Sequence, residues 1–213
     1  MDGVLFDSMP THAIAWSRVL KAHGYPFEPR DAYINEGRTG ESVIREMAER
    51  MGRKITDEEV AALYQEKAEL FRSLDDGHPM PGMNRWIEHL QREAAQAGHP
   101  LQIWVVTGSG QRSLIDKLQT AYPGVFSQER MITAFDVVHG KPDPEPYLRA
   151  WERSGCRKED CCVVENAPLG VQSGHAAGLH VLAINTGILP NQVLWDAGAD
   201  EVYGSVEELL AQK

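Results

Sequence analysis

The sequence predicts an α/β protein: a core of parallel β-strands joined through helices, with an all-helical block inserted near its beginning. Three observations carry this. From QIWVV onward, short apolar β-rich runs alternate with helical stretches of about ten residues, the pattern of βαβ units and so of a parallel sheet. The earlier stretch, Thr11 to Phe71, shows helical spacing and no strand alternation. Several strand-like runs end in loops of small, hydroxyl-bearing or acidic residues, where open α/β sheets hold their ligands.

Each element follows in order. MDGVLFDS opens the chain with an Asp-Gly turn of the kind expected at a strand end. Thr11 to His23 has apolar residues at helical spacing and stops at Gly24. GESVIREMAERMG forms a second helix ending at Gly52. TDEEVAALYQEKAELF starts with a capping box, Thr56 with Glu59. Pro81 and Gly82 punctuate HPMPGM, and WIEHLQREAAQAG is again helical. Then QIWVV, MITAF, CCVVEN, HVLAINT and EVYG read as strands. PEPYLRAWERSG, PLGVQSGHAAG, PNQVLWDAG and a last helix opened by the capping box SVEE read as helices. Residues 1–8 and 80–213 thus make the core domain, and residues 9–79 an inserted helical domain.

Composition narrows the function. The chain has 213 residues, 42% hydrophobic and 24% charged, with a formal net charge of -10. Binding nucleic acid calls for a basic face that neutralises phosphates, and this acidic chain supplies none. It suits instead a protein that holds a divalent cation. No apolar run approaches the roughly 18 residues of a membrane span. The three cysteines, Cys156, Cys161 and Cys162, are odd in number and match no zinc spacing, so reduced thiols in a cytoplasmic protein are expected.

Four loops carry the candidate chemistry. Asp2 beside Gly3 reads as a carboxylate at a strand end or as an ordinary Asp-Gly turn. Thr107, Gly108, Ser109 and Gly110 follow a buried strand, where hydroxyls and free N–H groups cradle a phosphate or cap a helix. Lys141, between Gly140 and Pro142, is placed to bridge an acid and a phosphate, or is a solvated loop lysine. Glu165 and Asn166 end the strand CCVVEN as oxygen ligands suited to magnesium, or as a cap for the next helix. Singly each has a bland alternative. Together, an acid, hydroxyls, a lysine and a second acid at the loops of one sheet describe metal-assisted phosphoryl transfer.

The motifs MDGVLFDS, VVTGS, GKPDPEPY and VVENAPLGV, in this order, resemble those of the haloacid dehalogenase-like phosphohydrolases. The helical insert resembles the cap of the β-phosphoglucomutase-like branch. The resemblance implies a Rossmann-like core and a Mg2+ cofactor. It implies two steps: an aspartate attacks phosphorus to form an aspartyl-phosphate, and a second aspartate, two positions on, protonates the leaving group and then activates water. Asp2 matches the second aspartate. The nucleophile is therefore expected immediately ahead of Met1, at the end of a central strand, so that the natural chain begins about ten residues earlier. Thr107 and Lys141 carry over as catalytic, Gly108 and Ser109 as phosphate-binding, and Asp2, Glu165 and Asn166 as metal ligands.

The cap loop INEGRTGES narrows the branch. In β-phosphoglucomutases it resembles Lys-Gly-Val-Ser-Arg, whose cations hold a sugar's distal phosphate. Here Glu36 and Gly40 stand in the two basic positions, with Arg38 and Thr39 between them as candidate substrate contacts. Losing the guanidinium removes bidentate phosphate recognition. His12 and Trp16 still match mutase-like positions. With Asn166 in place of the usual acid, Glu36 is expected to restore the negative charge at the metal from the cap. This combination is closest to a small inorganic pyrophosphatase branch. The expected substrate is pyrophosphate or another small phosphate ester, handled by a monomer. A β-phosphoglucomutase-like isomerase and a non-catalytic phosphate-binding module are the alternatives.

Overall fold

The computed structural model describes residues 1–74, 77–109 and 114–212. Four helices come first: α1 (Met9–Ala22), α2 (Pro29–Ile34), α3 (Gly40–Arg50) and α4 (Asp57–Leu74). After α5 (Met83–Ala97), strands and helices alternate. They are β1 (Val105–Val106), α6 (Leu114–Ala121), β2 (Met131–Ile132), α7 (Glu145–Ser154), β3 (Cys162–Glu165), α8 (Pro168–Ala176), β4 (His180–Ile184), α9 (Asn191–Asp196), β5 (Glu201–Tyr203) and α10 (Val206–Ala211).

Local chemistry fixes the helix ends. The Thr56–Glu59 box forms in both directions: Thr56 N–H donates to Glu59 at 2.8 Å, and Glu59 N–H to Thr56 Oγ1 at 3.2 Å. α5 and α7 end on Gly98 and Gly155, both left-handed, as helix stops require. The box expected at SVEE is only half made. Ser205 accepts from Glu208 N–H at 3.1 Å, but the Glu208 carboxylate turns back to Gly204 N–H at 2.6 Å. α2 escapes the sequence pattern because six residues carry too little periodicity; its start is held by Asp31 accepting from Glu28 N–H at 2.7 Å.

Among the described residues the named strands pair in parallel, β1 with β2 and β3 with β4 with β5. The expected single sheet is, among the described residues, two sheets, and β1 and β2 are shorter than the runs QIWVV and MITAF. Residues 1–6 coil into a turn and provide no strand between β1 and β3. Leu5 N–H donates to the Met1 carbonyl at 2.7 Å and Gly3 N–H to Phe6 at 2.9 Å, so these groups are not offered to β1 or β3. Lys141 spans the gap, as described below.

β4 shows why the strand reads as continuously apolar. Val181 and Ala183 pack with Tyr147, Val171 and Leu194 beneath α7, α8 and α9. Leu182 and Ile184 point the other way, to Phe6, Trp86, Leu118 and Leu209 beneath α5, α6 and α10. Both faces are covered, as in doubly wound parallel sheets. Helices α1 to α4 bury a separate cluster around Leu20, Phe27, Ile44 and Val60. Leu189, from the loop after β4, joins that cluster and ties the helical block to the core.

Candidate active site

The C-terminal ends of β1 and β3, the first turn and the inner side of the helical block enclose one cavity. Every site residue singled out from the sequence lines it except Thr39. Gly110 lies outside the described residues.

Asp2 is held by its own turn. Ser8 Oγ donates to Asp2 Oδ1 at 2.6 Å, and His12 Nε2 lies 3.5 Å from the same oxygen. Gly3 makes the turn possible: its φ is +66°, and a Cβ there would lie 1.9 Å from Asn166 Nδ2. The Thr186 hydroxyl donates to the Gly3 carbonyl at 2.5 Å and pins the turn to the end of β4. Burial works against charge on Asp2, but the contacts with His12 and Ser8 prevail and hold its carboxyl far below the usual range.

His12 links Asp2 to the cap. Lys67 Nζ donates to His12 Nδ1 at 2.7 Å, and the imidazole stacks on Phe71 with ring centres 3.9 Å apart. Lys67 is buried beneath Trp16 and Phe71, each ring 4.9 Å from the ammonium. Burial pulls its pKa down to about 8, against the attraction of Asp2. The sequence contained this signal. In α4 the buried positions are Val60, Leu63, Lys67 and Phe71, so a lysine interrupts an apolar stripe where one is rarely buried unpaired.

Lys141 and Glu165 form a buried pair, Nζ to Oε1 at 2.5 Å, only 7% and 4% exposed as residues. The Tyr147 hydroxyl donates to the same oxygen at 2.5 Å, and Asn166 N–H to Oε2 at 3.1 Å. Lys141 also donates to the Val106 carbonyl at 3.2 Å, bridging the ends of β1 and β3. Burial opposes charge on Glu165, but Lys141 and the hydrogen bonds keep its pKa below normal. Tyr147 and Ser8 were not singled out in the sequence, since a tyrosine or serine beside a motif has no periodic mark.

Glu36 does reach the core from the cap. Asn166 Nδ2 donates to both of its carboxylate oxygens at 3.0 Å. The neighbouring backbones close tightly, and a Cβ on Gly108 would lie 2.8 Å from the Gly37 carbonyl oxygen. Burial drives the Glu36 pKa up to about 8; the Asn166 hydrogen bond opposes this, while Glu165 and Asp2 add to it. Glu165 and Asn166 do not cap α8, whose N-cap is Ala167.

The hydroxyls divide. Thr107 Oγ1 accepts from Ser109 N–H at 3.2 Å, which shapes the loop beneath the cavity. Thr39 is spent as the N-cap of α3, accepting from Ser42 N–H at 3.3 Å, and does not line the cavity. Arg38 lines the cavity but is ion-paired with Glu46 and donates to Asn35 at 3.3 Å, within the cap.

Asp2, Glu36 and Glu165 bring three carboxylates to one cavity beside the Asn166 amide. Burial raises the Glu36 pKa and the neighbouring Glu165 and Asp2 add to it; a cation would offset both. Among the described residues no three His, Cys, Asp or Glu side chains form a ready-made metal cluster. Magnesium takes one or two carboxylates and completes its shell with water and phosphate oxygens, so it does not require such a cluster.

The cavity lies between the parallel-sheet core and the helical block. Residues 1–178 match the family model of the haloacid dehalogenase-like hydrolases, and the chain belongs to that family. It is similar to hexitol phosphatase A of Escherichia coli, 32% identical over 87% of this chain and 80% of the relative. It is 28% identical to the fructose-1-phosphate phosphatase YqaB of the same organism, over 86% and 93% of the two chains. A solved Bacteroides vulgatus structure, provisionally called a β-phosphoglucomutase, superposes with a TM-score of 0.91 at 42% identity. It covers 100% of this chain and 84% of the other. No helix among the described residues is long and apolar enough to cross a membrane.

Proposed function

We propose that the chain is a magnesium-dependent phosphohydrolase that acts through an aspartyl-phosphate, on inorganic pyrophosphate or another small phosphate ester. The observation that carries the reading is Glu36, which leaves the cap to meet Asn166. It supplies a carboxylate at the site from the position that serves sugar-phosphate binding in the mutase-like pattern. The cavity volume of ≈ 160 Å³ is small beside the roughly 300–1,000 Å³ of common ligand pockets, which supports a compact substrate.

Asp2, Glu36, Glu165 and Asn166 are the groups that would hold the metal. When bound, magnesium neutralises phosphoryl oxygens and orients them for in-line attack. The family's two-step pattern calls for an aspartate nucleophile, whose carboxylate would bond to phosphorus as the bond to the leaving oxygen breaks. The residues of this chain would serve the proton transfers and the charge balance. Asp2 gives the leaving oxygen a proton, which it must first take up from water, because His12 and Ser8, against burial, hold its carboxyl ionised in the free protein. It then takes a proton from the water that attacks phosphorus and frees the nucleophile. Ser8 and His12 hold the Asp2 carboxylate in place for both transfers. Lys141, anchored by Glu165, adds positive charge beside the transferred group, and Gly108 and Ser109 line the cavity next to it.

The names of the relatives favour a second reading, hydrolysis of sugar or polyol phosphates. The test is phosphate release by the full-length protein with magnesium, comparing pyrophosphate, fructose 1-phosphate and a hexitol phosphate. The expected result is a higher kcat/KM for pyrophosphate. Preference for the hexose or hexitol ester sinks the compact-substrate reading. Interconversion of hexose phosphates without net release supports the isomerase.

A further inference from the structure

One wall of the cavity is built by a contact that the catalytic reading does not use. Gly40 opens α3 and Tyr64 stands in α4, so the two meet across the cap. A Cβ built on Gly40 would lie 2.2 Å from Tyr64 Cε2 and 2.3 Å from Cδ2. The phenol ring therefore rests on the bare α-carbon. Gly40 is not among the glycines of positive φ, so its backbone conformation suits any residue. The ring alone explains why glycine stands there.

Both residues line the cavity. Tyr64 packs partly buried against the cap cluster, which fixes its position. It precedes Lys67 by three residues, and such residues share one helix face. The face that α4 turns to the site therefore carries an ammonium beside Asp2's partner His12, and next to it an aromatic plate. The phenol also lies in the field of the core, since Asp2 is among the charges that raise its pKa after burial and Glu41. From this we propose that Tyr64, seated on Gly40, is a specificity-determining residue that limits the size of the group attached to the transferred phosphate. The plate fills the space that the organic part of a larger phosphate ester would take, and the glycine lets it sit there. The inference rests on the compact-substrate reading above and names the residue that enforces it.

The test compares wild type, Tyr64→Ala and Tyr64→Phe in the full-length protein with magnesium. The substrates are a series of increasing size: pyrophosphate, glycerol 3-phosphate and fructose 1-phosphate. Removing the ring is expected to raise kcat/KM for fructose 1-phosphate relative to pyrophosphate by about tenfold or more, with glycerol 3-phosphate between, as pocket volume discriminates. Tyr64→Phe, which keeps the ring, is expected to keep the wild-type ratio. Ratios unchanged in Tyr64→Ala overturn the proposal. So does an equal loss on all three substrates, or a Tyr64→Phe variant that behaves like Tyr64→Ala. Should Tyr64→Ala not fold, Tyr64→Leu keeps the apolar contact with a smaller wall and is judged by the same ratios. A wild type that already prefers fructose 1-phosphate refutes the compact-substrate reading by itself. The size trend across the variants still decides whether Tyr64 is the wall.

Discussion

Asp2→Asn is expected to lower kcat for phosphate release by a factor of about 10²–10⁴, the range for loss of a positioned acid-base group. The amide keeps the shape of the carboxyl and still accepts from Ser8 Oγ, so the turn at Gly3 is retained. What it cannot do is give a proton to the leaving oxygen or take one from water. Burial already opposes the Asp2 charge, and a neutral side chain removes that cost while losing the attraction of His12. Because the contacts with His12 and Ser8 outweigh burial, the charged form is the stabilising one, and the amide should also lower the melting temperature. The chemical role is therefore read from turnover measured where the variant is still folded. Turnover within a few-fold of wild type, in a folded variant, would remove Asp2 from the mechanism.

The second large effect is on stability. Lys141→Met leaves the Glu165 carboxylate buried with, among the described residues, Tyr147 and the Asn166 N–H as hydrogen-bond partners and the field of the N-terminal ammonium. Breaking a buried pair from one side costs about 3–5 kcal/mol. For a chain of this size that is a fall in Tm on the order of 10 °C. The pH dependence gives a second readout. In wild type the folded pKa of Glu165 is depressed, so the pair adds stability above the unfolded carboxyl value and loses it as pH falls through the folded one. Without Lys141, burial dominates and the sign reverses: acid should then stabilise the variant relative to neutral pH. The double variant Lys141→Met with Glu165→Gln should recover part of the loss, because no unpaired charge is left buried. Equal Tm values for Lys141→Met and wild type, as followed by circular dichroism, would show that the pair does not stabilise the fold.

How much of this was legible in the sequence depends on whether a feature repeats. The helices announced themselves through apolar spacing and glycine stops, as at Gly98 and Gly155. β4 showed as HVLAI because both its faces are buried. The core loops were readable because each joins a strand end to a chemically distinctive residue, and Asp2, Thr107, Lys141 and Glu165 do line one cavity. Two things were hidden. Pairing depends on neighbours remote in sequence, so the division into two sheets could not be read from QIWVV or MITAF. Side-chain commitments were hidden as well. Thr39 and Arg38 stand in the right loop, yet one caps α3 and the other pairs with Glu46. Conversely Tyr147, Ser8 and Tyr64 matter only through what they touch across the fold. Lys67 is the exception that could have been found, as the charged residue in the buried stripe of α4.

The central claim is that the cap completes the metal site through Glu36. Its most direct measurement is a magnesium titration of phosphate release from pyrophosphate, by full-length wild type and Glu36→Ala side by side. Removal of groups that support a metal typically costs 10–100-fold in affinity, so the variant should need about tenfold more magnesium or worse for half-maximal release. Superimposed curves, or release that persists undiminished when magnesium is chelated, would contradict the account.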